Sequence, residues 1–163
     1  MDYFQGVVIE YLRQDRSTFV NPECLIQLEP GNVPDKGRSW YCDVVAADFS
    51  ESTLYLCEVS YSTTMSALSK RLKAWAEHWP GIRTALLRDC NMPKEWKVQP
   101  WLFVPRDLCA AIRRKMPAAH SHGSDGCAAM PAPRITTLEE VAPWTEQSKA
   151  RAGPRANVNK QPD

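Results

Sequence analysis

Apolar residues near the amino end recur at a helical period. Phe4, Val7, Val8, Tyr11 and Leu12 predict an amphipathic helix from Asp2 to about Arg16, with Glu10 beside the apolar stripe. Cys24 to Glu29 reads as a short strand. The turn-rich stretch Pro30 to Ser39, with Gly31, Asn32, Pro34, Asp35 and Gly37, leads into the next element. Two β-like runs follow, Trp40 to Asp48 and Thr53 to Tyr61, joined by a turn through Phe49 to Ser52. Met65, Leu68, Leu72, Trp75 and Trp79 then mark a second helix, with Ser62 or Thr63 as its N-cap and Pro80 and Gly81 as its end. Ile82 to Leu87 and Trp101 to Val104 read as further strands, and Asp107 to Lys115 as a third helix. The order α-β-β-β-α-β, then β-α, predicts an α/β fold in which helices flank a central mixed sheet.

The periodic pattern stops near Met116. Residues 1–115 form the expected domain, and 116–133, rich in Ala, Pro, Ser, Gly and His, read as a flexible loop or linker. In 134–147, Ile135, Leu138, Val141 and Trp144 recur three residues apart, enough for a short docking segment. Residues 148–163 carry almost no large apolar side chain and read as a disordered tail. With 163 residues, 44% of them hydrophobic, one core is expected. The net charge of +1 announces no global field toward nucleic acid or membrane, so any basic surface must be local. No run approaches the ~18 apolar residues of a membrane helix, and the amino end lacks a signal-peptide pattern, so a cytoplasmic protein is expected. Cys24, Cys42, Cys57, Cys90, Cys109 and Cys127 are scattered without a CxxC pair, which argues against zinc or a disulfide framework and for small buried hydrophobes.

Candidate chemistry concentrates in two acids. Asp43 and Glu58 lie in the two consecutive β-like runs with fourteen residues between them. Alternation puts Leu54, Leu56, Glu58 and Ser60 on one face of the later run. On the earlier one it puts Cys42, Val44 and Ala46 opposite Tyr41, Asp43 and Val45. Both acids therefore interrupt apolar rows. Carboxylates are seldom buried without a partner, so two at such places point to a shared cation, for which a divalent metal would serve. A salt bridge or a solvated strand end is the competing explanation.

The segment Trp40-Tyr-Cys-Asp43-Val, followed by Leu54-Tyr-Leu-Cys-Glu58-Val-Ser60, resembles the PD-(D/E)XK nuclease superfamily, the restriction-endonuclease-like fold. The resemblance covers about Asp2 to Pro105 and implies an α-β-β-β-α-β core. It also implies that Asp43 and Glu58 are the two strand acids and Glu10 the helical acid, acting in hydrolysis of phosphodiester bonds, of DNA by the habit of the family. Two departures stand out. Cys42 replaces the usual Pro, which mainly shapes the strand. Ser60 replaces the usual Lys, whose charge lies near the attacking water and the developing phosphorane, and a hydroxyl does not supply that charge. Some members of the superfamily recover the cation from the following helix. Here Lys70, Arg71 and Lys73 lie on that helix, with Arg71 flanking the buried stripe, Lys73 farther round and Lys70 opposite it.

The implied site is one or two Mg²⁺ ions (or Mn²⁺) held by Asp43, Glu58, the Val59 carbonyl and Glu10, with water completing the octahedron. Such a metal lowers the pKa of bound water and neutralises charge on the phosphate, while Ser60 hydrogen-bonds a water and Arg71 or Lys70 supplies the missing charge. The other reading is a catalytically silent domain of the same fold. It would bind nucleic acid or a protein partner, a homodimer included, with Ile135 to Trp144 as one docking segment. Trp75, Trp79, Trp96 and Trp101 are expected in the core rather than stacked on bases. His120 and His122, and the basic groups Arg113, Arg114, Lys115, Arg151, Arg155 and Lys160, add only local possibilities.

Overall fold

The structure, a computed structural model, describes residues 2–30, 39–115 and 129–142. Its elements are α1 (Tyr3–Arg13), β1 (Thr18–Gln27), β2 (Ser39–Asp48), β3 (Thr53–Val59), α2 (Ser66–Asp89), β4 (Lys97–Val104), a 3-10 turn (Arg106–Leu108), α3 (Cys109–Lys115), β5 (Arg134–Thr137) and α4 (Leu138–Val141). The strands form one mixed sheet in the order β1-β2-β3-β4-β5. The β1/β2 and β2/β3 pairs are antiparallel, and β3/β4 and β4/β5 are parallel. The α/β expectation of a mixed sheet flanked by helices therefore holds.

Each face of the sheet carries its own apolar layer. On one face Val45, Ala47, Leu54, Leu56, Leu102 and Val104 pack under Leu68, Leu72, Trp75, Trp79, Ile82 and Leu86 of α2 and Ile112 of α3. On the other, Val44, Ala46, Tyr55, Cys57, Trp101 and Phe103 pack under Val8, Ile9, Tyr11 and Leu12 of α1 and Leu138 and Val141 of α4. Trp75, Trp79 and Trp101 are thus core residues, as their spacing suggested, while Trp96 is half-buried against Phe49.

Four local expectations need correction. Ile82 to Leu87 is not a strand, because α2 runs on through Pro80 and Gly81 to Asp89. Pro80 removes one backbone donor and kinks the helix, leaving His78 at φ −116, ψ 16. The buried row Trp75, Trp79, Ile82, Leu86 nevertheless keeps its helical spacing across the kink, and that burial outweighs the break. The N-cap of α2 is neither Ser62 nor Thr63 but Met65, held at φ 53 without a side-chain cap. Met65 is only 5% exposed, so its side chain serves the core while its backbone turns the corner. β1 begins at Thr18, well before Cys24, because an edge strand tolerates Pro22. β4 begins at Lys97 rather than Trp101, and the Pro100 it contains lies before β5 pairing starts at Trp101.

Residues 134–141, read as a docking segment, form β5 and α4 of the same sheet assembly. Trp101 fixes this region, its Nε1 donating to Thr136 Oγ1 at 2.9 Å and the Arg134 guanidinium lying 3.8 Å above its ring. Most of the Pro30 to Ser39 turn, the linker as far as residue 128, Trp144 and the 148–163 tail lie outside the described residues.

Candidate functional site

Asp43 and Glu58 meet where the β2/β3 ladder ends. Its last paired residues at that end are Val44 and Cys57, so the Val59 amide has no ladder partner on β2. The Asp43 carboxylate takes that role, Oδ2 accepting from Val59 N at 2.8 Å. Its Oδ1 accepts from Gln5 Nε2 of α1 at 2.9 Å. Gln5 is itself fixed by a capping box, its Oε1 accepting from the Asp2 amide at 2.9 Å while Asp2 Oδ1 accepts from Gln5 N at 2.8 Å. The first turn of α1 is thereby tied to the sheet at Asp43.

Strict alternation fails beside this acid. Cys42 packs with Val45 and Ala47, not with Val44 and Ala46 as expected. The β1/β2 register itself is continuous from Pro22↔Val44 to Cys24↔Cys42, while Glu23 between them takes a left-handed φ of 52. Cys42 Sγ is directed at the carbonyls of Val44 and Cys57, at 3.2 and 3.3 Å. Both Cys42 and Cys57 are fully buried, and burial pushes their thiols well up, so they are inert packing groups rather than nucleophiles.

Glu58 is 4% exposed, on the face of β3 that looks toward α2. Arg71 reaches it from α2, one guanidinium nitrogen, Nη1, donating to Oε1 at 2.6 Å and Oε2 at 2.5 Å. Burial, reinforced by the negative charge of Asp43, pushes the Glu58 carboxyl up to about 8, against the opposing pull of Arg71. Burial therefore outweighs the Arg71 contact and favours the protonated form of Glu58 near neutral pH.

Arg71 is thus the basic residue of α2 that reaches the acids; Lys70 and Lys73 are exposed. Ser60 is half-buried just past β3, its amide donating to the Phe103 carbonyl at 3.0 Å. Val59 joins through its amide rather than through a described contact of its carbonyl. Glu10 is not brought to the pair; its side chain is 72% exposed and accepts from Arg13 at 3.0 Å. Gln5 occupies the helical position assigned to Glu10. Its signal lay in the sequence, since Gln5, Val8, Ile9 and Leu12 share one helical row and Glu10 does not. Arg113, Arg114 and Lys115 are exposed at the end of α3, remote in chain position from both acids. His120, His122, Cys127, Arg151, Arg155 and Lys160 lie outside the described residues.

The donor set is two hard carboxylates, suited to Mg²⁺ or Mn²⁺. Among the described residues no group of three His, Cys, Asp or Glu side chains converges, and Arg71 spans both Glu58 oxygens. For a divalent cation to reach Glu58, Arg71, whose side chain is 34% exposed, would have to give up this contact. No protein-family model and no curated protein matches the chain. Among the described residues no helix is long and apolar enough to cross a membrane.

Proposed function

We propose that the protein is a metal-dependent nuclease of the PD-(D/E)XK type, hydrolysing DNA phosphodiester bonds at Asp43 and Glu58, with Arg71 in place of the missing motif lysine. The observation that carries this reading is the reach of Arg71 from α2 to Glu58, beside Asp43. It puts a permanent positive charge at the acids although Ser60 follows Glu58 in the place of the lysine. The element order α1-β1-β2-β3-α2-β4 is further support, because it is the order expected of that family's core.

Each group has a role in this reading. Asp43, oriented by Gln5 and the Val59 amide, presents a carboxylate to a cation. Glu58 is the second ligand, and its desolvation strengthens its attraction to any cation that replaces its proton. A divalent cation held there supplies Lewis acidity toward the phosphate and toward a water nucleophile. Arg71, released from Glu58, meets the negative charge that develops on the phosphate oxygens. Ser60 offers a hydroxyl to orient water.

The second reading, a catalytically silent domain that binds nucleic acid or a protein partner, draws on the engagement of both Glu58 oxygens by Arg71 and on the exposure of Glu10. Calorimetric titration with Mn²⁺ separates the two. The nuclease reading expects binding that disappears in Asp43→Asn and in Glu58→Gln. Absence of Mn²⁺ affinity in the unaltered protein, together with binding of nucleic acid or a protein partner, would favour the silent domain instead.

A further inference from the structure

Five large apolar or aromatic side chains stand exposed among the described residues: Tyr3, Phe19, Tyr41, Phe49 and Tyr61. Phe19 and Phe49 stack edge-on, and Phe49 does so again with Trp96, at the end of the hairpin away from the acids. The tyrosines belong to the other end. Tyr3 and Tyr61 are 61% and 51% exposed and are joined through Phe4, with ring centroids 5.4 Å (Tyr3–Phe4) and 5.0 Å (Phe4–Tyr61) apart. The chain tethers this cluster to the acids on both sides. Phe4 precedes Gln5, which holds Asp43, and Tyr61 follows Ser60, three residues after Glu58.

The three rings line an open depression of about 190 Å³ together with Val7, Leu138 and Glu139, among others. That is below the ~300–1,000 Å³ of a whole-ligand site and suits a single flat ring. Among the described residues Glu139 is the one charged residue of its lining, and its two oxygens accept from the Arg106 amide at 3.2 and 3.0 Å. A carboxylate has about four lone-pair sites, so Glu139 keeps capacity to accept from the N–H groups of a base edge.

Exposed aromatic rings bind the faces of unpaired bases irrespective of sequence, and a base stacked inside a duplex does not present its face to them. We infer that Tyr3, Phe4 and Tyr61 form a subsite for an unpaired nucleobase, so that the substrate presented to Asp43 and Glu58 is a single strand or a frayed end. This inference rests on the nuclease reading for the position of the scissile bond, but not for base binding itself.

Fluorescence anisotropy in EDTA, where no cleavage occurs, tests it with labelled single-stranded DNA, single-stranded RNA and duplex DNA of one sequence. The expected result is tighter binding of either single strand than of duplex. Tyr3→Ala and Tyr61→Ala should each weaken it about tenfold, while Phe19→Ala, in the aromatic cluster at the other end of the hairpin, leaves it unchanged. The relative affinity for DNA and RNA then identifies the sugar. Equal affinity for duplex, or an unaltered affinity in Tyr61→Ala, would overturn the subsite. So would a dimer, seen by sedimentation, that Tyr61→Ala dissociates in a protein without single-strand affinity. Tyr61-dependent binding without metal-dependent cleavage sinks the nuclease reading alone. Cleavage of duplex indifferent to Tyr3 and Tyr61 sinks the subsite alone.

Discussion

Asp43 and Glu58 behave differently although they are neighbours. Asp43 is half-buried and takes hydrogen bonds from a backbone amide and Gln5, whereas Glu58 is nearly fully buried between the Arg71 guanidinium and the Asp43 backbone. The consequence is measurable without substrate. The Glu58 carboxyl is raised from its ordinary 4.5 to about 8 in the folded chain, so between those pH values the folded state holds a proton that the unfolded state has lost. Its contribution to stability is therefore complete below about pH 4.5, falls as pH rises to about 8, and is flat above. In EDTA, the Tm of the unaltered protein relative to Glu58→Gln should fall between pH 5 and pH 9. Parallel curves would mean that Glu58 titrates normally. At this scale the sequence was legible for the two acids, because each interrupts an apolar row, and for Arg71, because it flanks the buried stripe of α2. Glu10 lies off the helical row that faces Asp43, and Gln5, which lies on it, carries no charge to mark it in the sequence.

Among the elements, α2 carries most of the helix-side core, and it was also the least legible. Pro80-Gly81 is a strong local stop signal, yet Trp79, Ile82 and Leu86 continue the buried row beyond it. Local propensity yields to burial of that size, whereas β1 and β4 were read short because Pro22 and Pro100 hid strands whose pairing tolerates them at those positions. Arg71 depends on α2 being seated, and the seat is made by Trp75 and Trp79, at 0% and 1% exposure. Trp79→Ala should lower stability by about 3–5 kcal/mol in urea unfolding, the usual cost of removing a large buried aromatic. A loss below about 1 kcal/mol would show that the helix is held elsewhere.

For the whole molecule, both faces of the sheet are covered and the acids lie at one end of its antiparallel part. The carboxy-terminal pieces complete the α1 face, through Leu138 and Val141 against α1 and through Thr136 and Arg134 against Trp101. The sequence marks this stretch only as a docking segment through the spacing of Ile135, Leu138 and Val141, because a parallel edge strand declares itself only by its neighbour. A chain ending at Lys115 leaves the Trp101 indole nitrogen without Thr136 and uncovers α1. It should lose several degrees of Tm or aggregate; an unchanged melting curve would show that residues 134–142 add nothing to the fold.

The central claim is that Asp43 and Glu58 form a working metal-dependent site. Incubation of the purified protein with Mg²⁺ or Mn²⁺ and a panel of single-stranded and duplex DNA tests it most directly. The expected result is cleavage that EDTA abolishes and that Asp43→Ala and Glu58→Ala each reduce to background. Cleavage that survives both substitutions, or none on any substrate with either metal, would contradict it.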